Sequence, residues 1–119
     1  MTTSKCQVFK VADVLGKKWT LPLLQQIALN GHQGFNELMR QMRKMSPKIM
    51  AQRLKELEHL SVIQKKTREK QTALKTTYML TEKGKELQQL LHQLKVWNEK
   101  HVPASQGCAE RECVTCENY

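Results

Sequence analysis

Apolar residues recur along most of the chain at helical spacing. Val8, Phe9, Ala12 and Leu15 line one side of a short helix, and Gly16 is its natural stop. Leu23, Leu24, Ile27 and Ala28 repeat the pattern up to Asn30-Gly31. Pro22 places the start of this second helix near Thr20, because proline is tolerated only in the first turn. Phe35, Leu38, Met39 and Met42 fall at i, i+3, i+4 and i+7 and predict a third short helix. Ser46-Pro47 is the clearest helix start in the chain: Ser is a preferred N-cap and Pro is pre-shaped for the first helical position. The fourth helix should run over 47–59, with Met50, Leu54 and Leu57 as its buried stripe. Lys48, Ala51, Gln52 and Lys55 fall on the opposite side at i, i+3, i+4 and i+7, a front that mixes charge, amide and one small residue.

Beyond that helix the period changes. Val62 to Arg68 and Thr76 to Leu80 are rich in β-branched and aromatic residues and predict two strands of a hairpin. The intervening Glu69 to Ala73 has no Gly, Pro, Asn or Asp, so no tight turn is signalled and a long loop is expected. Thr81 can cap a last helix carrying Leu87, Leu90, Leu91, Leu94 and Trp97 on one face. That stripe is too strong for a solvated face; it packs on its own domain or, the reading preferred here, on a second copy of the chain. From Pro103 to Tyr119 the periodicity is lost, the chain turns acidic and three cysteines gather. The expected organisation is therefore one domain over 1–102 and an acidic, cysteine-containing tail over 103–119.

Charge sharpens this picture. The net charge is +9, and the segment from Arg40 to Lys75 alone carries +8, with eleven basic residues against three acidic ones. A basic block of this kind is the electrostatic footprint of a phosphate-binding surface, although a merely solvated face has the same composition. No apolar run approaches the ~18 residues of a membrane span. Residues 1–10 contain no apolar stretch that would serve as a secretory signal. A cytoplasmic protein with no membrane partner is expected.

Two short helices, a turn, a capped helix with a polar front and then a basic hairpin make a mainly α fold with a small β-hairpin wing: a winged helix-turn-helix. The major groove of duplex DNA admits one α-helix, whose outer Lys and Gln reach base edges. Ser46, Lys48, Gln52 and Lys55 are the candidates for groove contacts. Gln52 is the candidate base reader, since a Gln amide pairs bidentately with adenine. Arg43, Lys44, Arg53, Arg68 and Lys70 are the candidates for phosphates. Three helices and a hairpin also build protein-interaction modules, so a winged helix binding an acidic partner is the competing reading.

The chain resembles the HxlR-type transcriptional regulators, within the wider MarR-like winged-helix group, over residues 6–101. The resemblance is carried by Cys6, Gly16-Lys17-Lys18-Trp19, Phe35-Asn36-Glu37-Leu38, Ser46 with Lys48, Arg53 to Glu58, the run Tyr78-x-Leu80-Thr81-x-x-Gly84, and Trp97. It departs from the family pattern at Gly34, where an Arg is usual, at Ser61, where a Gly is usual, and across Leu74 to Thr77, which lacks the wing's proline and valine-glutamate. The resemblance implies a homodimer held by its terminal helices on pseudo-palindromic double-stranded promoter DNA. It also implies a role for Cys6, since in several members a cysteine at the matching position senses oxidants or electrophiles. A buried, inert thiol is the plainer alternative for Cys6.

The tail offers Cys108-x4-Cys113-x2-Cys116. Cys113 and Cys116 have zinc-knuckle spacing, but a closed zinc site needs four ligands; Cys6, His101 or a partner's cysteine would have to complete it. Reversible disulfides, including one from the tail to Cys6, come next after zinc; the spacing also matches three ligands of an iron–sulfur site, with no fourth downstream, and an idle tail is the remaining reading. A redox- or metal-sensing protein centred on Cys6 and this tail is thus a third reading, compatible with the first. Met39, Met42, Met45 and Met50 are expected to be core filling, and Trp19 and Trp97 core and dimer anchors. No Gly-rich phosphate loop, nucleophile–base set or paired carboxylate site is present in the sequence, so no enzyme and no cofactor for DNA binding are expected.

Overall fold

The chain runs α1 (Gln7–Leu15), α2 (Thr20–Asn30), β1 (Gln33–Gly34), α3 (Phe35–Gln41), α4 (Pro47–His59), β2 (Ile63–Lys70), β3 (Ala73–Leu80) and α5 (Glu82–His101), followed by a 3-10 turn at Cys108–Glu110. This computed structural model describes residues 6–70, 73–102, 107–110, 112 and 113, with side chains except those of 68–70, 73 and 74. The arrangement is a winged helix. The three strands form one antiparallel sheet in the order β1-β3-β2.

The helix boundaries follow their local chemistry. Gly16 ends α1, its N–H donating to Ala12 O at 2.9 Å. Gly31 ends α2 at φ +70°, a backbone region open to glycine at little cost. At Ser46 the hydroxyl accepts from Ile49 N–H at 3.2 Å, and Pro47 opens α4 where its missing N–H costs nothing. Thr81 caps α5 by accepting from Gly84 N–H at 3.0 Å.

The core is one cluster. It joins Leu23, Leu24 and Ile27 of α2, Leu38 of α3, Met42 and Met45 of the following turn, Met50, Leu54 and Leu57 of α4, and Val62, Ile63, Tyr78 and Leu80 of the wing. Met39 and Trp19 pack partly buried against it. The methionines therefore fill space between helices, as their spacing implies.

Three expectations need correction, and one short strand adds to them. The hairpin ladder continues to Lys70 opposite Ala73, so most of the loop expected over 69–73 is strand and only residues 71 and 72 intervene; those two lie outside the described residues. Continued pairing satisfies backbone groups that a longer loop would leave to water. The two-residue β1, which pairs Gln33 with Tyr78 and Gly34 with Thr77, has no period long enough to announce it. In α1 the inward residues are Val14 and Leu15, while Val8 and Phe9 stand 73% and 63% exposed. Six of the nine α1 residues are apolar, so its pattern does not single out one inward arc. Finally, the single apolar stripe expected on α5 divides: Leu87 and Leu91 pack on the core, whereas Leu90, Leu94 and Trp97 are exposed.

Candidate nucleic-acid interface

The outer face of α4 is open. Lys48, Ala51, Gln52 and Lys55 are all exposed, while Met50, Leu54 and Leu57 anchor the helix from behind. Ser46 is exposed at the start of the helix, where its hydroxyl already serves the backbone of Ile49. Arg43 and Lys44 are exposed in the turn just before it. Ser46, Lys48, Arg43 and Lys44 thus sit around the N-terminal end of α4, with Gln52 and Lys55 further along the same exposed face. That end also presents unpaired helix N–H groups and the positive end of the helix dipole.

Arg53 does something else. Its Nε donates to Lys18 O at 3.0 Å and its Nη1 to Glu56 Oε1 at 2.9 Å, and its side chain is only 12% exposed. Glu56 Oε2 in turn accepts from Lys17 Nζ. Burial raises the pKa of the Glu56 carboxyl, but the hydrogen bonds and charges of Lys17 and Arg53 outweigh it and hold the group below its ordinary value. Arg53 and Glu56 therefore clamp α4 to the α1–α2 turn, and the Arg53 guanidinium is engaged inside the fold rather than offered outward.

That turn is itself unusual. Trp19 has φ +77°, a left-handed conformation that a bulky side chain rarely adopts. It is held by flanking hydrogen bonds, Thr20 N–H to Lys17 O at 3.3 Å and Leu23 N–H to Trp19 O at 3.0 Å. Lys18 Nζ lies 5.0 Å from the centre of the Trp19 ring.

On the wing, Lys65, Lys66 and Thr67 of β2 and Lys75 of β3 are exposed. Arg68 is registered opposite Lys75 and Lys70 opposite Ala73. The Thr67 and Thr76 hydroxyls are hydrogen bonded at 3.2 Å and brace the pair of strands. Lys65 and Lys66 were not singled out from the sequence; their position inside a β-rich run, counted only as part of the basic block, was the available signal. At the base of the wing, burial and then the charge of Glu58 raise the pKa of the Tyr78 hydroxyl, so it stays protonated.

One cysteine precedes α1 and the other three lie in the tail. Cys6 is exposed at the N-cap of α1. The described part of the tail lies against α5 and α2: Ala109 N–H donates to Glu99 Oε2 at 3.1 Å, Cys113 N–H to Gln25 Oε1 at 2.6 Å, and Lys95 Nζ is 3.4 Å from Cys113 Sγ. Among the described residues no three His, Cys, Asp or Glu side chains come together as a metal site. Cys116, the third candidate ligand beside Cys108 and Cys113, lies outside the described residues. No described helix is long and apolar enough to cross a membrane.

The family model described as HxlR-like helix-turn-helix matches residues 14–106. The chain belongs to this family. Its relatives include the HTH-type transcriptional regulators YvaP and YodB of Bacillus subtilis. YvaP is 33% identical over 96 residues, covering 81% of this chain and 87% of that protein. YodB is 30% identical over 100 residues, covering 84% and 88%. Among solved structures, the reduced form of YodB superposes with a TM-score of 0.73 at 29% identity, over 83% of this chain and 96% of that one. The redox regulator HypR in its reduced form superposes at 0.68 and 29% identity, over 80% and 92%. This HxlR-type chain is accordingly a transcriptional regulator and not an enzyme, with redox regulators among its structural neighbours. Its match to the family model ends before Cys108, so the tail cysteines are additional to the shared pattern.

Proposed function

We propose that this HxlR-type regulator acts as a homodimer on pseudo-palindromic duplex DNA, placing one α4 per protomer in the major groove. The observation that carries the reading is the open face of Lys48, Ala51, Gln52 and Lys55 on a helix whose opposite side is wholly buried. Gln52 reads a base edge, with Lys48 and Lys55 beside it and Ser46 at the entry to the groove. Arg43, Lys44 and the wing cations Lys65, Lys66, Arg68 and Lys70 take phosphates. Arg53 contributes by fixing α4 rather than by touching DNA.

Dimerisation rests on the exposed apolar residues of the terminal helices, Val8 and Phe9 of α1 and Leu90, Leu94 and Trp97 of α5. Large apolar side chains left exposed on the terminal helices of so small a domain are characteristic of a contact surface. Cys6 stands at the start of α1 next to two of these residues, so oxidation or alkylation of its thiol alters assembly and through it DNA affinity.

Selection of reduced protein on random duplexes, followed by affinity measurements across salt concentrations, tests this. A two-fold symmetric motif with half-sites about one helical turn apart and a steep salt slope is expected. Salt-sensitive binding without an enriched motif would overturn it.

A further inference from the structure

Among the described residues, Leu91 is the last apolar residue of α5 that packs on the core. The helix nevertheless runs on to His101, about 15 Å further. Its inward row, Leu87 and Leu91, continues at i+4 spacing with Lys95 and Glu99. Both are half-buried although the core stops short of them, and both meet the tail. Lys95 Nζ lies 3.4 Å from Cys113 Sγ, and Glu99 Oε2 accepts from Ala109 N–H at 3.1 Å. On its other side the tail reaches α2, where Cys113 N–H donates to Gln25 Oε1 at 2.6 Å.

We propose that the tail around Ala109 and Cys113 is a strap that ties the far half of α5 to α2. The bond to Glu99 is of the stronger, charge-assisted kind, and the bond to Gln25 joins residues 88 positions apart in the chain. The strap grips one side of α5 only. Successive helical residues are roughly 100° apart, which sets Lys95 and Glu99 well round the helix from Leu94. Leu90, Leu94 and Trp97 stay exposed beside it. The tail therefore leaves open the face assigned to the second copy and fixes the direction in which that face is presented. The strap lies beyond residues 14–106, which the family model matches, so it is supplied by this chain's own tail.

The consequence for assembly rests on the dimer reading above. An interface already held in its bound arrangement needs less ordering on association, so the strap tightens the dimer.

The test uses the full chain. Gln25→Ala with Glu99→Ala removes both acceptors, and alanine keeps α2 and α5 helical. Amide hydrogen exchange is compared with Leu94→Glu present in both proteins, so that a second copy protects neither. Amides of residues 95–101 should exchange at least about tenfold faster once the two bonds are lost, with those of Leu54 and Leu57 in α4 unchanged. Ala109→Pro deletes one donor without touching either helix and should speed the same amides about fivefold. No change at 95–101, or an equal change in α4, would overturn the strap. Without Leu94→Glu, sedimentation of Gln25→Ala with Glu99→Ala should give a dimer Kd at least about fivefold above that of the parent. Faster exchange with an unchanged dimer Kd would overturn the link to assembly. A monomeric parent would overturn the dimer reading, while the exchange comparison decides the strap by itself.

Discussion

Gly84 lies so close to Val62 that a Cβ built on it would fall 1.9 Å from the Val62 carbonyl oxygen. The first turn of α5 thus rests directly on the backbone that leads into the wing. In an open helix, Gly→Ala gains about 1 kcal/mol. Here the sign reverses: Gly84→Ala should destabilise the protein by about 2 kcal/mol as backbone is pushed apart. Urea unfolding checks it, and an unchanged or higher midpoint would contradict the packing.

Ser61 follows α4 at φ +63°, its N–H donating to Glu58 O at 2.9 Å while Val62 N–H reaches back to Leu57 O at 3.2 Å. A left-handed residue is costly for anything but glycine, by about 1–2 kcal/mol, partly offset by glycine's greater freedom when unfolded. Ser61→Gly is expected to stabilise the fold by about 0.5–1 kcal/mol. Thermal unfolding provides the readout.

The Glu56 clamp predicts a pH dependence. A carboxyl whose folded pKa is lowered contributes stability that is fully present above its ordinary value of 4.5. That contribution is lost as pH falls below 4.5 and through the lowered folded value. Glu56→Gln should flatten this limb of the stability profile. At neutral pH it should cost only about 1 kcal/mol, since Lys17 is more than a third open to solvent. Identical acid limbs for the two proteins would exclude the clamp as their cause.

On selected duplexes, Gln52→Ala should relax preference at one position of each half-site. Lys48→Ala should weaken all sequences alike and lower the salt slope by about one unit. Arg53→Ala is expected to differ from both, reducing stability with little change in salt slope. A motif unaltered by Gln52→Ala would mean that another face of α4 reads the bases.

Leu94→Glu places a charge on an exposed position of α5, so the protomer fold should survive. Sedimentation or light scattering should then report a dimer for the parent protein and a monomer for the variant. A dimer that persists would move the contact away from this face.

The contrast between α4 and the wing shows what a sequence transmits. Ser46-Pro47 sets the start of α4, and its amphipathic period separates Met50, Leu54 and Leu57 from Lys48, Gln52 and Lys55, because caps and periodicity act within a few residues. The length of the hairpin depends on pairing between strands, and β1 exists only because Gln33 and Gly34 find Tyr78 and Thr77 across the sheet. Arg53 carries the same charge as Lys48, and only its approach to Lys18 and Glu56 separates a brace from an outward-facing cation.

One corner of the molecule joins its two ends. Thr81 Oγ1 donates to Ser61 O at 2.6 Å while capping α5, Lys83 Nζ donates to Leu60 O at 2.7 Å, and Gly84 rests on Val62. The end of α4 and the beginning of α5 are therefore bolted together with no hinge between them. In a two-fold assembly such a joint works as a rigid bracket: a change in the angle at which two α5 helices cross swings the two α4 helices through a matching arc. The spacing of half-sites that the protein accepts would then be set far from the DNA, where Leu90, Leu94 and Trp97 meet their counterparts.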